Sequence, residues 1–212
     1  MSGRTFETLI LDWSGTLVDD LTAVLSGTNE ALRRFGAEPV SLAEFRREFD
    51  LPPRRFYDRR VPGAPFADLE TAFLAGFDRE RESVRPLERA TAFLDHARSE
   101  GFRLRVLTAL DSENLDEQMS AFGWDGRFER LHAGVHDKVA YLHEVVGRDE
   151  LDAERTLYVG DLPHDILAGR RAGVATCAVL SGYADESRLA AAEPDYVVSC
   201  VGSLIRAFAT PA

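Results

Sequence analysis

The chain has 212 residues, 45% of them hydrophobic, and a formal net charge of −11. That length suffices for one domain with a substantial insertion around a sizeable core, while the acidic balance opposes binding to nucleic acid or to an anionic membrane over the general surface. No apolar run is long enough to span a bilayer, and Met1 to Phe6 lack the basic start and apolar core of a signal peptide, so a cytoplasmic location is expected.

Phe6 to Leu11 reads as an apolar first strand, central in its sheet. From about residue 17 to 85 no strand is expected. Instead Leu21, Val24, Leu25, Thr28, Leu32 and Phe35 recur at spacings of three and four, the period of a helix with one buried face. Breaks at Gly36 to Pro39, at Leu51-Pro52-Pro53 and at Val61 to Pro65 divide this stretch into several helices. Within it, a helix over Arg54-Arg55-Phe56-Tyr57-Asp58-Arg59-Arg60 places Arg55 and Arg59 on one face and Phe56 and Arg60 on another. A helix then runs from Pro86 to about Glu100 and stops at Gly101. Strands are expected at 102–108, 156–160, 174–180 and 195–198, with helices at about 112–122, 137–146, 163–172, 185–192 and 201–208. Such alternation predicts an α/β fold with a doubly wound parallel sheet. Residues 1–16 and 86–212 form its core domain, and 17–85 a helical insertion. Cys177 and Cys200 read as small buried hydrophobes and not as a disulfide. His132 and His136 are four apart with no evident third metal ligand and read as structural.

The chemistry sits at the ends of these elements. In a parallel sheet the carboxyl ends of strands converge on one crevice, which brings Asp12, Thr108 and Asp161 together from distant parts of the chain. Arginine outnumbers lysine 24 to one, and the solitary Lys138 falls between Thr108 and Asp161. An aspartate can attack phosphorus, but a carboxylate nearing a phosphate dianion is repelled unless cations intervene. Lys138 and Mg²⁺ would supply that charge, since Mg²⁺ prefers oxygen ligands of the kind Asp12 and Asp161 offer.

The motif Asp12-Trp13-Ser14-Gly15-Thr16-Leu17, then Val106-Leu107-Thr108, Lys138, and Gly160-Asp161-Leu162-Pro163-His164-Asp165 resemble, in this order and over nearly the whole chain, the motifs of the haloacid dehalogenase-like hydrolases. The layout, with Leu17-Val18-Asp19 after the first motif, is most similar to phosphoglycolate phosphatase-like members. The resemblance implies a Rossmann-like core with an inserted α-helical cap, and a Mg²⁺-dependent phosphatase acting on a small phosphorylated metabolite through an aspartyl-phosphate on Asp12, as a monomer or homodimer. It implies metal binding by Asp12, by the backbone carbonyl of Ser14, by Asp161 and, through water, by Asp165. Phosphate oxygens would fall to Thr108, Ala109 and Lys138. In the cap, Arg54 or Arg55 would bind a carboxylate or second phosphate of the substrate, the plainer reading being a solvated basic face.

Ser14 departs from the pattern, because most phosphatases of this kind carry there an aspartate that protonates the leaving alcohol and later activates water. Serine does not titrate near neutrality, and general acid–base assistance is typically worth about 10²–10⁴-fold. Either the leaving group departs without a proton, as from an acyl phosphate or anhydride, or another residue supplies it. His164 is the nearby candidate, with local packing or capping as its plainer role. A module that binds phosphometabolites without turnover is the rival of a different class. Two related activities fit less well. The 2-haloacid dehalogenases usually have tyrosine in place of Ser14 and a neutral residue in place of Asp161, and phosphonoacetaldehyde hydrolases use a cap lysine, whereas residues 17–85 contain none.

Overall fold

The computed structural model describes residues 6–208; the sequence readings of Met1 to Thr5 and of the extreme carboxyl end lie outside the described residues. Strand β1, Thr8–Leu11, is fully buried. The short β2, Val18–Asp19, follows it. Four helices come next: α1, Leu21–Arg34; α2, Leu42–Glu48; α3, Arg54–Arg60; and α4, Phe66–Asp78. The chain returns through β3, Arg85–Pro86, antiparallel to β2. Regular alternation then begins with α5, Ala90–Ser99, β4, Arg103–Leu107, α6, Ser112–Ala121, and β5, Arg130–His132. It continues with α7, Lys138–Arg148, β6, Thr156–Gly160, α8, Pro163–Ala172, and β7, Ala175–Val179. The last elements are α9, Glu186–Ala191, β8, Tyr196–Val198, and α10, Leu204–Phe208.

Six strands form one parallel sheet in the order β5-β4-β1-β6-β7-β8. Every residue of β1, β6 and β7 is buried, threonines included, because helices cover both faces of the sheet. Alternate residues still part company: Leu9 and Leu11 join Phe93, Leu94 and Trp124 on one side, whereas Ile10 joins Leu107, Leu142 and Tyr158 on the other. From β1 the chain crosses first to β4 and later to β6, on opposite sides, so the crevice for a ligand opens at the carboxyl ends of these three strands.

The helical stretch behaves as its periodicity predicts, with Val24, Thr28 and Leu32 of α1 buried. Helices α1 and α4 cross closely enough that a Cβ on Gly27 would strike Phe73 and one on Gly76 would strike the Gly27 backbone. Buried Phe45 and Phe56 of this unit share a core with Leu162, Ile166 and Tyr183 from the sheet side. The four helices thereby rest on the loops that follow β6 and β7.

Three expectations need correction. Residues 17–85 are not free of strand: Val18 pairs with Pro86 and Asp19 with Arg85, in segments too short for a period-two pattern. The helix after Pro86 starts only at Ala90, since residues 85–86 pair with β2 and Leu87 N–H donates to the Leu17 carbonyl. Strand β5, which was not expected, is an edge strand with Arg130 and Leu131 exposed, so it lacks an apolar signature. Cys177 and Cys200 are both free, the first buried and the second half-buried just after β8.

Candidate active site

Asp12 follows the last residue of β1, and its backbone N–H donates to the Val159 carbonyl of β6. The adjoining Trp13 points away from the crevice. It is fully buried, its indole N–H donates to Gln118, and its ring stands edge-on to Trp124. Gly15 at φ +76 makes the turn back to β2, a conformation that L side chains rarely adopt, and a Cβ there would also strike the Asp161 carboxylate. Asp161 follows β6, is fully buried, and accepts from the Thr16 hydroxyl at 3.0 Å and from the Tyr183 N–H at 2.7 Å.

Lys138 opens α7, whose N-cap Asp137 accepts from Ala140 N–H. Its ammonium is buried and donates to Asp12 Oδ1 at 2.6 Å and to Asp165 Oδ1 at 2.8 Å. Asp165 is fully engaged: Oδ1 also accepts from the Tyr158 hydroxyl and Oδ2 from Leu162 N–H. It thereby fixes the position of the lysine ammonium. Carboxylate oxygens of Asp12, Asp161 and Asp165 lie within 4.8 Å of one another.

This crowding governs protonation. Burial pushes Asp12 up to about 6, with Lys138 pulling it down and Asp165 pushing it up. Asp161 is raised well above the usual carboxylate range by burial and then by Asp12 and Asp165. Burial would also raise Asp165, but the Lys138 charge and hydrogen bonds from Lys138 and Tyr158 outweigh it and hold it low. For Lys138 burial alone would favour the neutral amine, yet the two aspartates hold its proton more firmly than usual.

Thr108, after β4, is buried, and its Oγ1 accepts from Leu110 N–H. It is not the N-cap of α6, a place taken by Asp111, which accepts from Asn114 N–H. His164 accepts the Lys138 backbone N–H through Nε2 at 3.1 Å, and its burial disfavours the cation. In this position His164 caps α7, and it is not among the residues that line the cavity over these groups.

A cavity of about 220 Å³ opens over these groups. Asp12, Ser14, Thr108, Ala109 and Lys138 line its base, while Phe49, Tyr57, Phe66, Leu69, Phe73 and Phe77 from the helical unit line its upper part. The expected cap arginines do not line it: Arg54 pairs with Asp58 at 2.7 Å on an exposed face with its guanidinium over the Phe66 ring, and Arg55 is exposed. The cause is the buried face of α3, where Phe56 and Tyr57 pack inward and turn these arginines outward.

The residues around these groups that the sequence left unmarked are Asp20 and Tyr183. Asp20 lines the cavity beside Ser14, is raised to about 6 by burial, and accepts from the Tyr183 hydroxyl at 2.6 Å. Ser181, two residues earlier, donates to the Gly15 carbonyl. Ser181 and Tyr183 follow β7 directly, and their place at the carboxyl end of a strand was the signal that could have marked them.

A family model described as haloacid dehalogenase-like hydrolase matches residues 9–179. The chain belongs to that family and is an enzyme of the hydrolase class. It is 26% identical over 207 residues to a phosphoglycolate phosphatase of Synechococcus elongatus, covering 95% of this chain and 96% of that one. It is 25% identical over 210 residues to a 5'-nucleotidase of Pseudomonas aeruginosa, covering 94% of each. A haloacid dehalogenase-like hydrolase from Streptococcus pneumoniae shares the fold at a TM-score of 0.81 and 17% identity, over 96% of this chain and 99% of that one. Among the described residues no helix is long and apolar enough to cross a membrane.

Proposed function

We propose that the protein is a Mg²⁺-dependent phosphatase for a small phosphorylated metabolite and that it works through an aspartyl-phosphate on Asp12. The observation that carries this reading is the Asp12 carboxylate held 2.6 Å from the Lys138 ammonium at the base of a cavity, beside the equally buried Asp161. Three buried carboxylates with one ammonium among them leave negative charge that a hard divalent cation fits. Asp12 and Asp161 would hold Mg²⁺, with the Ser14 backbone carbonyl and, through water, Asp165. Bound there, the ion would offset the repulsion between carboxylate and phosphate.

A free carboxylate oxygen of Asp12 attacks phosphorus, the ester oxygen leaves with its bonding pair, and water later cleaves the acyl phosphate to return Asp12 and release inorganic phosphate. Lys138 fixes the orientation of Asp12 and places positive charge against the incoming phosphoryl group. Thr108 has its Oγ1 lone pair occupied by Leu110 N–H, which leaves the hydroxyl proton for a phosphate oxygen, and Ala109 N–H stands beside it. The region between β2 and β3 acts as a cap over the site, with residues 17–85 as its extent and 1–16 and 86–212 as the core.

Chelation of Mg²⁺ is expected to abolish phosphate release from a panel of phosphorylated metabolites. Adding Mg²⁺ back should also raise the melting temperature of the wild type, because an ion that binds only the folded state stabilises it. The Asp161→Asn variant should show little of that rise. Turnover undiminished by chelator would overturn the assignment of the metal. Saturable binding of phosphorylated metabolites with no release under any condition would favour the non-catalytic binding module.

A narrower reading rests on Ser14. With serine beside Asp12, departure of the ester oxygen depends on how readily it leaves unprotonated, unless Asp20, which faces Ser14 inside the cavity, passes it a proton. Aryl and acyl phosphates should therefore outrun alkyl phosphates, and Asp20→Asn should widen that gap by about 10²-fold or more if Asp20 is the donor. Ser14→Asp should narrow it. An alkyl-to-aryl ratio indifferent to both substitutions would locate the proton source elsewhere and exclude Asp20.

A further inference from the structure

Resting on the phosphatase reading of this site, we infer that the group the phosphate leaves behind is small, uncharged and apolar. The base of the cavity carries everything the phosphate needs, so selection falls to the upper part. There Phe49, Tyr57, Phe66, Leu69, Phe73 and Phe77 present aromatic and aliphatic surface. Among the described residues no arginine lines the cavity, and its one lysine is already held between Asp12 and Asp165. The remaining basic group on the lining is His136, which is exposed at the rim. On α3, Arg54 pairs with Asp58 and lies over the Phe66 ring, Arg60 pairs with Glu48 and lies over the Phe56 ring, and Arg55 is exposed and absent from the lining.

The acidic groups on the lining sharpen the inference. Besides Asp12, the cavity exposes Asp20 and, at its mouth, Glu70. A second anionic group on the substrate would meet Asp20 inside an apolar enclosure and Glu70 at its mouth, with no arginine and no uncommitted lysine facing it. Rejection by unpaired like charge is as effective a source of selectivity as any attraction. The carboxylate of a phosphorylated hydroxy acid and the second phosphoryl group of a diphosphate are both disfavoured on this account. A benzyl-sized or short branched alkyl group, in contrast, fits a cavity of about 220 Å³ and buries its surface against the phenylalanines.

Two phosphonates that cannot be hydrolysed separate this inference from the catalytic one. Isothermal titration calorimetry of the wild-type protein with Mg²⁺ compares benzylphosphonate with phosphonoacetate, in parallel with phosphate release from benzyl phosphate and 2-phosphoglycolate. Benzylphosphonate is expected to bind at least roughly tenfold more tightly. The exposed Glu70→Arg substitution should narrow that gap by strengthening phosphonoacetate. Equal or tighter binding of phosphonoacetate by the wild type, or no binding of benzylphosphonate, would overturn the inference. Preferential binding of benzylphosphonate without phosphate release from either ester or from 4-nitrophenyl phosphate, whose leaving group needs no proton, would sustain the apolar preference while removing the phosphatase reading.

Discussion

Asp12→Asn is expected to lower turnover by a factor on the order of 10⁶, the scale on which loss of a covalent nucleophile is felt. The amide has nearly the shape of the carboxylate and keeps an oxygen for the Lys138 ammonium, but its oxygen is a poor nucleophile toward phosphorus. The variant should not be less stable than the wild type. Asp12 is one of three buried carboxylates sharing one cation, and burial has already pushed it up to about 6, so its charge opposes folding at neutral pH. The sign follows from that direction. A carboxyl raised in the folded state favours folding below its unfolded pKa, and the contribution fades as pH rises through about 6. The neutral amide removes this dependence. Phosphate release measured beside thermal melts checks both halves. Full turnover in a folded variant would show that Asp12 is not the nucleophile.

Lys138→Met should lower turnover by about 10²–10³-fold, comparable to removing one preorganised charge from a site of developing charge. Here a stability loss is also expected, since breaking a buried ion pair by removing one partner typically destabilises by about 3–5 kcal/mol. Asp12 and Asp165 would then be buried without the ammonium that now touches both. Deprived of it, Asp165 should move from a lowered to a raised pKa. Its contribution then survives in acid and is lost as pH rises, so the melting deficit of the variant should shrink in weak acid. Lys138→Arg should recover stability better than activity, because a planar fork keeps the charge but not the position of a single ammonium. A folded Lys138→Met protein with undiminished specific activity would leave the lysine a purely structural role.

What was legible in the sequence follows from where the signals are local. Asp12 and Asp161 each end an uninterrupted apolar run, and that pattern survives in a sheet covered on both faces. Lys138 stood out because the chain otherwise uses arginine. Asp20 was not legible as a site residue, because what matters is its hydrogen bond to Tyr183, which lies 163 positions away and reaches it only once the loop after β7 folds under the helices. Strand β5 and the β2–β3 ribbon escaped notice because two or three residues cannot show a period. For Arg54 and Arg55 the sequence left a ligand role beside the plainer reading of a solvated face, and the burial of Phe56 and Tyr57 turns both arginines outward.

The scarcity of lysine has a practical consequence. The chain has a single ε-amine, and in the folded protein it is buried between two carboxylates that hold its proton. Amine-directed acylation requires the free base in contact with reagent, so the native protein shields its only side-chain target. Modification at Lys138 will occur only when the base of the cavity opens or the chain unfolds. The rate of acylation at that position, followed by peptide mass, is therefore an intrinsic gauge of how often the heart of the molecule is exposed to solvent, and it needs no engineered probe.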